Sequence, residues 1–290
     1  MAEKKKIILS ADSTCDMPVE LREKLDLHLF PLHVIIGDKQ YTDDGIDITG
    51  QDIFRIYREK KLLPTTSAIS VGEYVDYFKQ FLDKGYEVIH INIGTGVSAC
   101  HQNACIAASD LGGGIYPVNS KSLSAGSALI VLEAYDRIQE GKSAAQIQQE
   151  LIPLTDNVRV SFVVDTLEFL RKGGRCSALE AFGANLLKLH PSIDLDNANG
   201  GAMTVGKKYR GSMEKVYVQF LKDKFALYKN IKRAVFFIAH AVFEDESYLP
   251  LIIKTAKELY DFDKIYDAPV SAVVNSHCGP NTYGLILMLE

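Results

Sequence analysis

Positive charge is not in excess in this chain of 290 residues, because 32 lysines and arginines stand against 37 aspartates and glutamates, a formal net charge of −5. Nucleic-acid binders obtain much of their affinity by neutralising phosphates with a basic surface, so this balance argues against a nucleic-acid ligand. Long apolar runs are also missing. No segment reaches the roughly 18 apolar residues that a membrane span needs, and the run after Lys6 is too short for a signal-peptide core. We therefore expect no integral membrane segment.

Cysteines are few: there are five, an odd number, and they are scattered without a C-x-x-C pair. This pattern is typical of reduced thiols in a cytoplasmic protein rather than of a disulfide framework. Cys100, His101 and Cys105 could suggest a metal site. Adjacent residues on a helix point about 100° apart, however, and no fourth ligand is in view. We expect buried thiols there and no bound metal.

The common catalytic motifs are absent as well. The chain has no G-x-x-x-x-G-K-[ST] loop, no H-E-x-x-H and no G-x-S-x-G. Gly94-Thr95-Gly96 follows a predicted strand but lacks the third glycine of a dinucleotide-binding loop. No enzyme class is indicated by motif alone.

What the chain does contain is an alternation of apolar and amphipathic segments, which predicts an α/β fold. The near-continuously apolar segments are typical of parallel strands covered on both faces, and they are Ile7–Ala11, Glu87–Ile93, Ile115–Asn119, Arg159–Val164 and Ala234–Ala239. The predicted helices are Val19–Leu27, Val71–Leu82, Leu123–Gln139, Ala144–Leu154, Ala178–Leu189, Met213–Leu227 and Ser247–Tyr260. Residues 28–47 are interpreted as an extended, hairpin-like insertion. We expect two domains, residues 1–160 and 161–290, the first with a mainly parallel sheet and flanking helices and the second a smaller α/β unit.

Hydroxyl side chains cluster just past several predicted strands. They occur at Ser13-Thr14, at Thr65-Thr66-Ser67, at Ser98 and at Ser120-Lys121-Ser122. In an open α/β sheet, ligands bind beyond the carboxyl ends of the strands, and unpaired N–H groups at helix N-termini favour an anion there. Each hydroxyl could equally cap a helix, as we expect of Ser70 in its capping box with Glu73. The set indicates an anion site without identifying the anion.

Two other segments carry chemistry. Arg171-Lys172-Gly173-Gly174-Arg175 concentrates positive charge, which could either bind an anion or compensate the C-terminal end of a helix. Asn275 to Pro280 follows an apolar run, Val270–Val274, that is interpreted as a strand. A Gly-Pro turn at a strand end would place His277 near the crevice rather than in the core.

Together these segments resemble the DegV family of fatty-acid-binding proteins over nearly the whole chain. The most specific match is Asp165 to Arg175, joined by the segments Asp12–Pro18, Pro64–Ser67, Gly96–Ser98, Asn119–Ser122 and His277–Pro280. The resemblance implies a two-domain α/β protein that holds one long-chain fatty acid, such as palmitate, between its domains. It also implies that a separate fatty acid kinase phosphorylates the presented carboxyl group for phospholipid synthesis, so that this chain is a carrier without a catalytic residue, metal or cofactor of its own.

By position, the resemblance implies that three residues bind the carboxylate of the fatty acid. It implies that four others lie near the head group or on the kinase-facing surface. The first set is Thr66, Ser98 and His277, and the second is Ser13, Ser122, Arg175 and Arg210. This chain departs from the common pattern at Ser98-Ala99-Cys100-His101-Gln102, at Cys278 and at His190.

Two enzyme hypotheses remain as alternatives. The first domain of the family resembles that of dihydroxyacetone kinases, which suggests a phosphotransferase acting on a small carbonyl compound, although no nucleotide-binding motif is present. A hydrolase using Ser98 with His101 or His277 would lack an identifiable acid partner and a nucleophile elbow.

Overall fold

The computed structural model describes residues 6–177 and 189–290, in which thirteen strands and ten helices alternate. The strands are β1 Ile7–Asp12, β2 His28–Phe30, β3 His33–Ile36, β4 Lys39–Thr42, β5 Thr65–Ser67, β6 Glu87–Asn92, β7 Ile115–Asn119, β8 Val158–Val163, β9 His190–Asp196, β10 Ala202–Tyr209, β11 Phe236–His240, β12 Ile265–Pro269 and β13 Tyr283–Met288. The helices are α1 Val19–Lys24, α2 Gly50–Lys60, α3 Val71–Leu82, α4 Cys100–Asp110, α5 Ala125–Gln139, α6 Ala144–Leu154, α7 Glu168–Gly173, α8 Met213–Leu227, α9 Tyr248–Leu259 and α10 Ala272–Cys278. None of these helices is long and apolar enough to cross a membrane.

The first sheet is parallel throughout, in the order β2-β1-β6-β7. Its central strands are buried on both faces, as the apolar runs predict. The helices that cover it begin where their caps indicate. Ser70 accepts a hydrogen bond from the Glu73 N–H, and Glu73 Oε2 accepts one from the Ser70 N–H at 2.8 Å, so the predicted capping box is confirmed. The expected α/β fold with a parallel sheet and flanking helices is present.

A small antiparallel sheet, β4-β3-β5, stands beside the first one. The β3–β4 hairpin confirms the interpretation of the insertion, except that β2 pairs with β1 in the parallel sheet. Pairing of β5 with β3 places Thr66 opposite Val34. This small sheet therefore holds the segment after Pro64 at a defined place rather than leaving it as a loop.

The second large sheet, β10-β9-β8-β13-β11-β12, is mainly antiparallel, with β11 and β12 as its parallel pair. The expectation that Arg159–Val164 is a parallel strand is therefore wrong. The apolar pattern of this segment was misleading, because it indicates burial on both faces of a strand and does not determine the direction of the strand. On β8, Val160 packs into the cluster shared with α5, whereas Val163 packs into the cluster under α8 and α9.

The apolar run Val270–Val274 is a second correction, because it leads into a helix and not along a strand. Ser271 is the N-cap of α10, and its side chain accepts a hydrogen bond from the Val274 N–H. Short apolar runs fit either structure, and the serine cap decides here. The helix predicted over 178–189 lies, except for its last residue, outside the described residues.

Candidate functional site

A cleft lies between the two large sheets and encloses about 820 Å³ of empty space including its mouth. Its walls are chiefly apolar. One wall comes from the second sheet, with Val160, Phe162 and Ile286, and the other from Leu32 and Ile93 beside the first sheet. The cleft suits a ligand that is largely hydrocarbon.

Thr66 and His277 meet at this cleft although 211 residues separate them in sequence. Thr66 Oγ1 lies 2.8 Å from His277 Nε2, and both residues line the cleft. Strand β5 supplies the threonine, and the last turn of α10 supplies the histidine. The sequence places both residues near a crevice, and the structure brings them into direct contact.

The other nitrogen of His277, Nδ1, is buried and has no hydrogen-bond partner among the described residues. It packs against Gly173, where an added Cβ would lie only 2.1 Å from Nδ1. Burial, followed by the positive charge of Arg175, lowers the pKa of His277 to about 4. The ring is thus neutral at pH 7, and an unpaired acceptor at Nδ1 costs less than a buried N–H without a partner. We therefore assign the proton to Nε2, which donates to Thr66 Oγ1 and leaves the threonine hydroxyl free to donate into the cleft.

Ser98 also lines the cleft, just before α4. Its hydroxyl accepts a hydrogen bond from the Cys100 N–H and donates one to Cys100 Sγ at 3.2 Å. Burial raises the pKa of the Cys100 thiol to about 12, so the sulfur remains a neutral, weak acceptor. A carboxylate would be a stronger acceptor for the Ser98 hydroxyl than this thiol.

The hydrogen bonds of Ser98 and His101 give no support to the hydrolase hypothesis. His101 Nδ1 lies 3.2 Å from Asn92 Oδ1, and its Nε2 lies 3.5 Å from Cys105 Sγ. Within residues 6–177 and 189–290, Ser98 has no histidine as a hydrogen-bond partner, and no group of three or more His, Cys, Asp or Glu residues could hold a metal ion.

Arg175 lies at the mouth of the cleft beyond α7. Its Nη1 donates to the Gly173 carbonyl at 2.7 Å, and its Nε is 3.5 Å from the Val97 carbonyl. Gly174 has φ +64°, so it ends α7 in the left-handed conformation expected of a glycine cap. The segment therefore ends a helix, and it also places the Arg175 cation at the cleft, where anion binding stays a prediction.

Three of the predicted residues do not line the cleft. Ser13 donates to Asp43 Oδ2 at 2.7 Å and borders a different cavity. Ser122 is buried, and its backbone carbonyl accepts the Gly94 N–H at 2.7 Å. Arg210 is exposed just after β10. Hydroxyls at strand ends are thus divided between the cleft and structural roles.

Sequence reasoning missed other polar residues on the cleft walls. Ser124 lines the cleft and has the unusual backbone angles φ 53° and ψ −147°, which no local sequence pattern announces. His240 ends β11, where Nε2 lies 2.8 Å from Asp267 Oδ1 and Nδ1 lies 2.7 Å from the Ala241 carbonyl. A polar residue ending an apolar strand was the available signal for His240.

Comparison with known proteins finds similar sequences and structures over nearly the whole chain. The model of the DegV family, described as uncharacterised, matches residues 6–290. Protein DegV of Bacillus subtilis is 29% identical over 282 residues, which cover 96% of this chain and 98% of the relative. A solved DegV family structure from Thermus thermophilus, described by its fatty acid binding, has a TM-score of 0.87 and 29% identity, covering 98% of this chain and 100% of that one. A stearic acid-binding protein from Eubacterium ventriosum has a TM-score of 0.79 and 25% identity, covering 98% of each chain.

Proposed function

The chain belongs to the DegV family, and on this premise we propose that it binds one long-chain fatty acid in the cleft between its large sheets. The observation that carries the proposal is the Thr66–His277 hydrogen bond at 2.8 Å within a mainly apolar cleft. An apolar cavity with a few convergent polar groups matches an amphiphile with one polar end.

The carboxylate in this proposal accepts hydrogen bonds from the hydroxyls of Thr66 and Ser98. His277 orients the threonine by donating to Oγ1 from Nε2. A carboxylate leaving water must recover hydrogen bonds, and charge-assisted bonds from neutral hydroxyls provide them. Arg175 at the mouth adds a positive charge near the same end.

The hydrocarbon tail supplies most of the affinity. Burying the methylenes of a C16 chain such as palmitate, at about 0.8 kcal/mol each, gives a gross gain on the order of 10 kcal/mol before the costs of association. The apolar walls from β8 and β13 support this assignment. A small carbonyl substrate, as the phosphotransferase hypothesis requires, would leave these walls unused.

We further propose that the protein is a carrier and not itself an enzyme. In this proposal it consists of domains 1–160 and 161–290 and presents the acyl carboxylate to a separate fatty acid kinase, which forms the acyl phosphate for phospholipid synthesis. The exposed side chains of Arg175 and Arg210 support this proposal, because an acidic partner or an added phosphate would be attracted to their positive charge.

Organic extraction and mass spectrometry of the purified protein test the binding proposal directly. We expect one saturated or mono-unsaturated long-chain fatty acid for each chain, and delipidated protein should bind added palmitate with the same stoichiometry by calorimetry. A nucleotide in place of lipid, or a failure of delipidated, folded protein to bind palmitate, would contradict it.

A further inference from the structure

Helix α10 carries His277 at one end and is held at the other end by two carboxyl groups from far earlier in the chain. Asp43 Oδ1 accepts the Ala272 N–H at 2.8 Å and the Val273 N–H at 3.3 Å. Asp16 Oδ1 accepts the Ser271 N–H at 2.8 Å. The N–H groups in the first turn of a helix have no partner within the helix, and here side chains from the first part of the chain accept their hydrogen bonds.

The Asp43 carboxyl is itself held in place. It is 3% exposed, and its second oxygen accepts the Ser13 hydroxyl at 2.7 Å. Burial raises the pKa of Asp43 and raises that of neighbouring Asp16 to about 8. Asp16 is therefore mostly neutral at pH 7, which removes the repulsion that two adjacent buried carboxylates would suffer. Asp43 accepts three hydrogen bonds, an arrangement that suits the ionised form.

Helix α10 has little freedom to settle elsewhere. An added Cβ at Gly50 on α2 would lie 2.4 Å from Asn275 Nδ2, so the two helices are in close contact. Asn275 in turn donates to the carbonyls of Val270 and Ser271. With only seven residues, α10 transmits a displacement of its first turn directly to His277 in its last turn.

We propose that Asp43, oriented by Ser13 and assisted by Asp16, is a positioning residue that fixes α10 so that His277 meets Thr66 and, through it, the carboxylate of the ligand. The ligand part of this inference rests on the proposed fatty-acid binding. The position of the His277 ring does not, because the contacts of Asp43 with α10 and of His277 with Thr66 are made by protein atoms alone. Ser13, expected near the head group, acts in this proposal at a distance through Asp43.

The test compares Asp43→Ala with Asp43→Asn, and Ser13→Ala with Ser120→Ala. Asparagine keeps an acceptor for α10 and can donate to the Ser13 oxygen. Ser120 is a matched control, since it is also a buried serine after a parallel strand but bonds to Ser122 and Ser127. Two quantities are measured: the Kd for palmitate by calorimetry, and the pKa of His277 by NMR titration of the ligand-free protein, with the His277 signal assigned through His277→Gln.

We expect Asp43→Ala to raise the Kd for palmitate at least tenfold and to move the pKa of His277 from about 4 towards 6.5, because a displaced ring regains water. Asp43→Asn should bind within threefold of the wild type, and Ser13→Ala should fall between the two. Ser120→Ala should leave both quantities unchanged.

The proposal is overturned if Asp43→Ala keeps the wild-type Kd and the wild-type His277 titration. Should Asp43→Ala fail to fold, Ser13→Ala decides, and equality with Ser120→Ala in both quantities overturns the proposal. A wild-type protein that binds no palmitate refutes the proposed function and with it the ligand part. The His277 titration then still shows whether Asp43 positions α10.

Discussion

Replacing Gly173 by alanine tests the head-group geometry more sharply than removing any polar group. The added Cβ would lie 2.1 Å from His277 Nδ1 and 2.9 Å from its Cε1, where contacts near 3.5 Å are normal. The ring or the end of α7 must therefore move by about 1 Å or more. A shift of that size stretches the 2.8 Å bond between His277 and Thr66 beyond hydrogen-bond range.

Two effects of Gly173→Ala on the stability of the protein oppose each other. Alanine is favoured over glycine in a helix by about 1 kcal/mol, whereas overpacking costs about 1–3 kcal/mol. Gly173→Ala should thus destabilise the ligand-free protein by roughly 0–2 kcal/mol. Affinity for palmitate should fall by about 1–3 kcal/mol, or roughly 5- to 150-fold, because the Thr66 hydroxyl loses the partner that orients it.

Gly72→Ala is the matched control, because no atom of the part of the chain that the structure describes lies within 4 Å of the Cβ it would add on α3. We expect it to be neutral or stabilising by up to about 1 kcal/mol, with unchanged affinity. Urea denaturation and calorimetry with palmitate measure both quantities. If Gly173→Ala behaves like Gly72→Ala in both, the close packing of His277 against α7 does not control binding, and the reasoning is wrong.

Three further predictions follow from the same site. Thr66→Ala and Ser98→Ala should each weaken palmitate binding by about 1–3 kcal/mol, and Thr66→Ser should weaken it by less. Unchanged affinity in both alanine variants, measured by calorimetry, would refute the head-group assignment. The pKa of Asp16 is raised to about 8, so the folded protein keeps a proton that the unfolded chain has lost, and the free energy of unfolding falls as the pH rises towards 8. The pKa of His277 is lowered to about 4, which has the opposite effect on the free energy of unfolding, but only between about pH 4 and 6.5. Stability to urea should therefore drop by about 2 kcal/mol between pH 6.5 and 8, at 1.36 kcal/mol per pKa unit, and Asp16→Asn should abolish that slope. Arg175→Ala should keep the affinity for palmitate within about threefold and should slow acyl-phosphate formation by the kinase more than tenfold. If the variant has a lower melting temperature but its bound fatty acid is fully phosphorylated, the arginine only stabilises the end of α7.

Local chemistry was sufficient to predict about half of the described elements, among them six of the ten helices. Apolar periodicity predicts α3, α6 and α8 with the bounds that the structure shows, and the Ser70 capping box marks the start of α3. These features act between residues three or four apart, so sequence alone reveals them. Strands β1 and β6 at the centre of the first sheet are equally evident, because their apolar runs record burial on both faces.

Tertiary structure alone decided the features that depend on contacts between distant segments. The apolar run of β8 was compatible with either strand direction, and only its pairing with β9 and β13 made it antiparallel. Ser13 and Thr66 both appear as hydroxyls near strand ends, yet one bonds to Asp43 and the other to His277. A hydroxyl bonds to whichever partner the folded chain brings within about 3 Å, and packing between segments 30 and 211 residues apart decides that partner here.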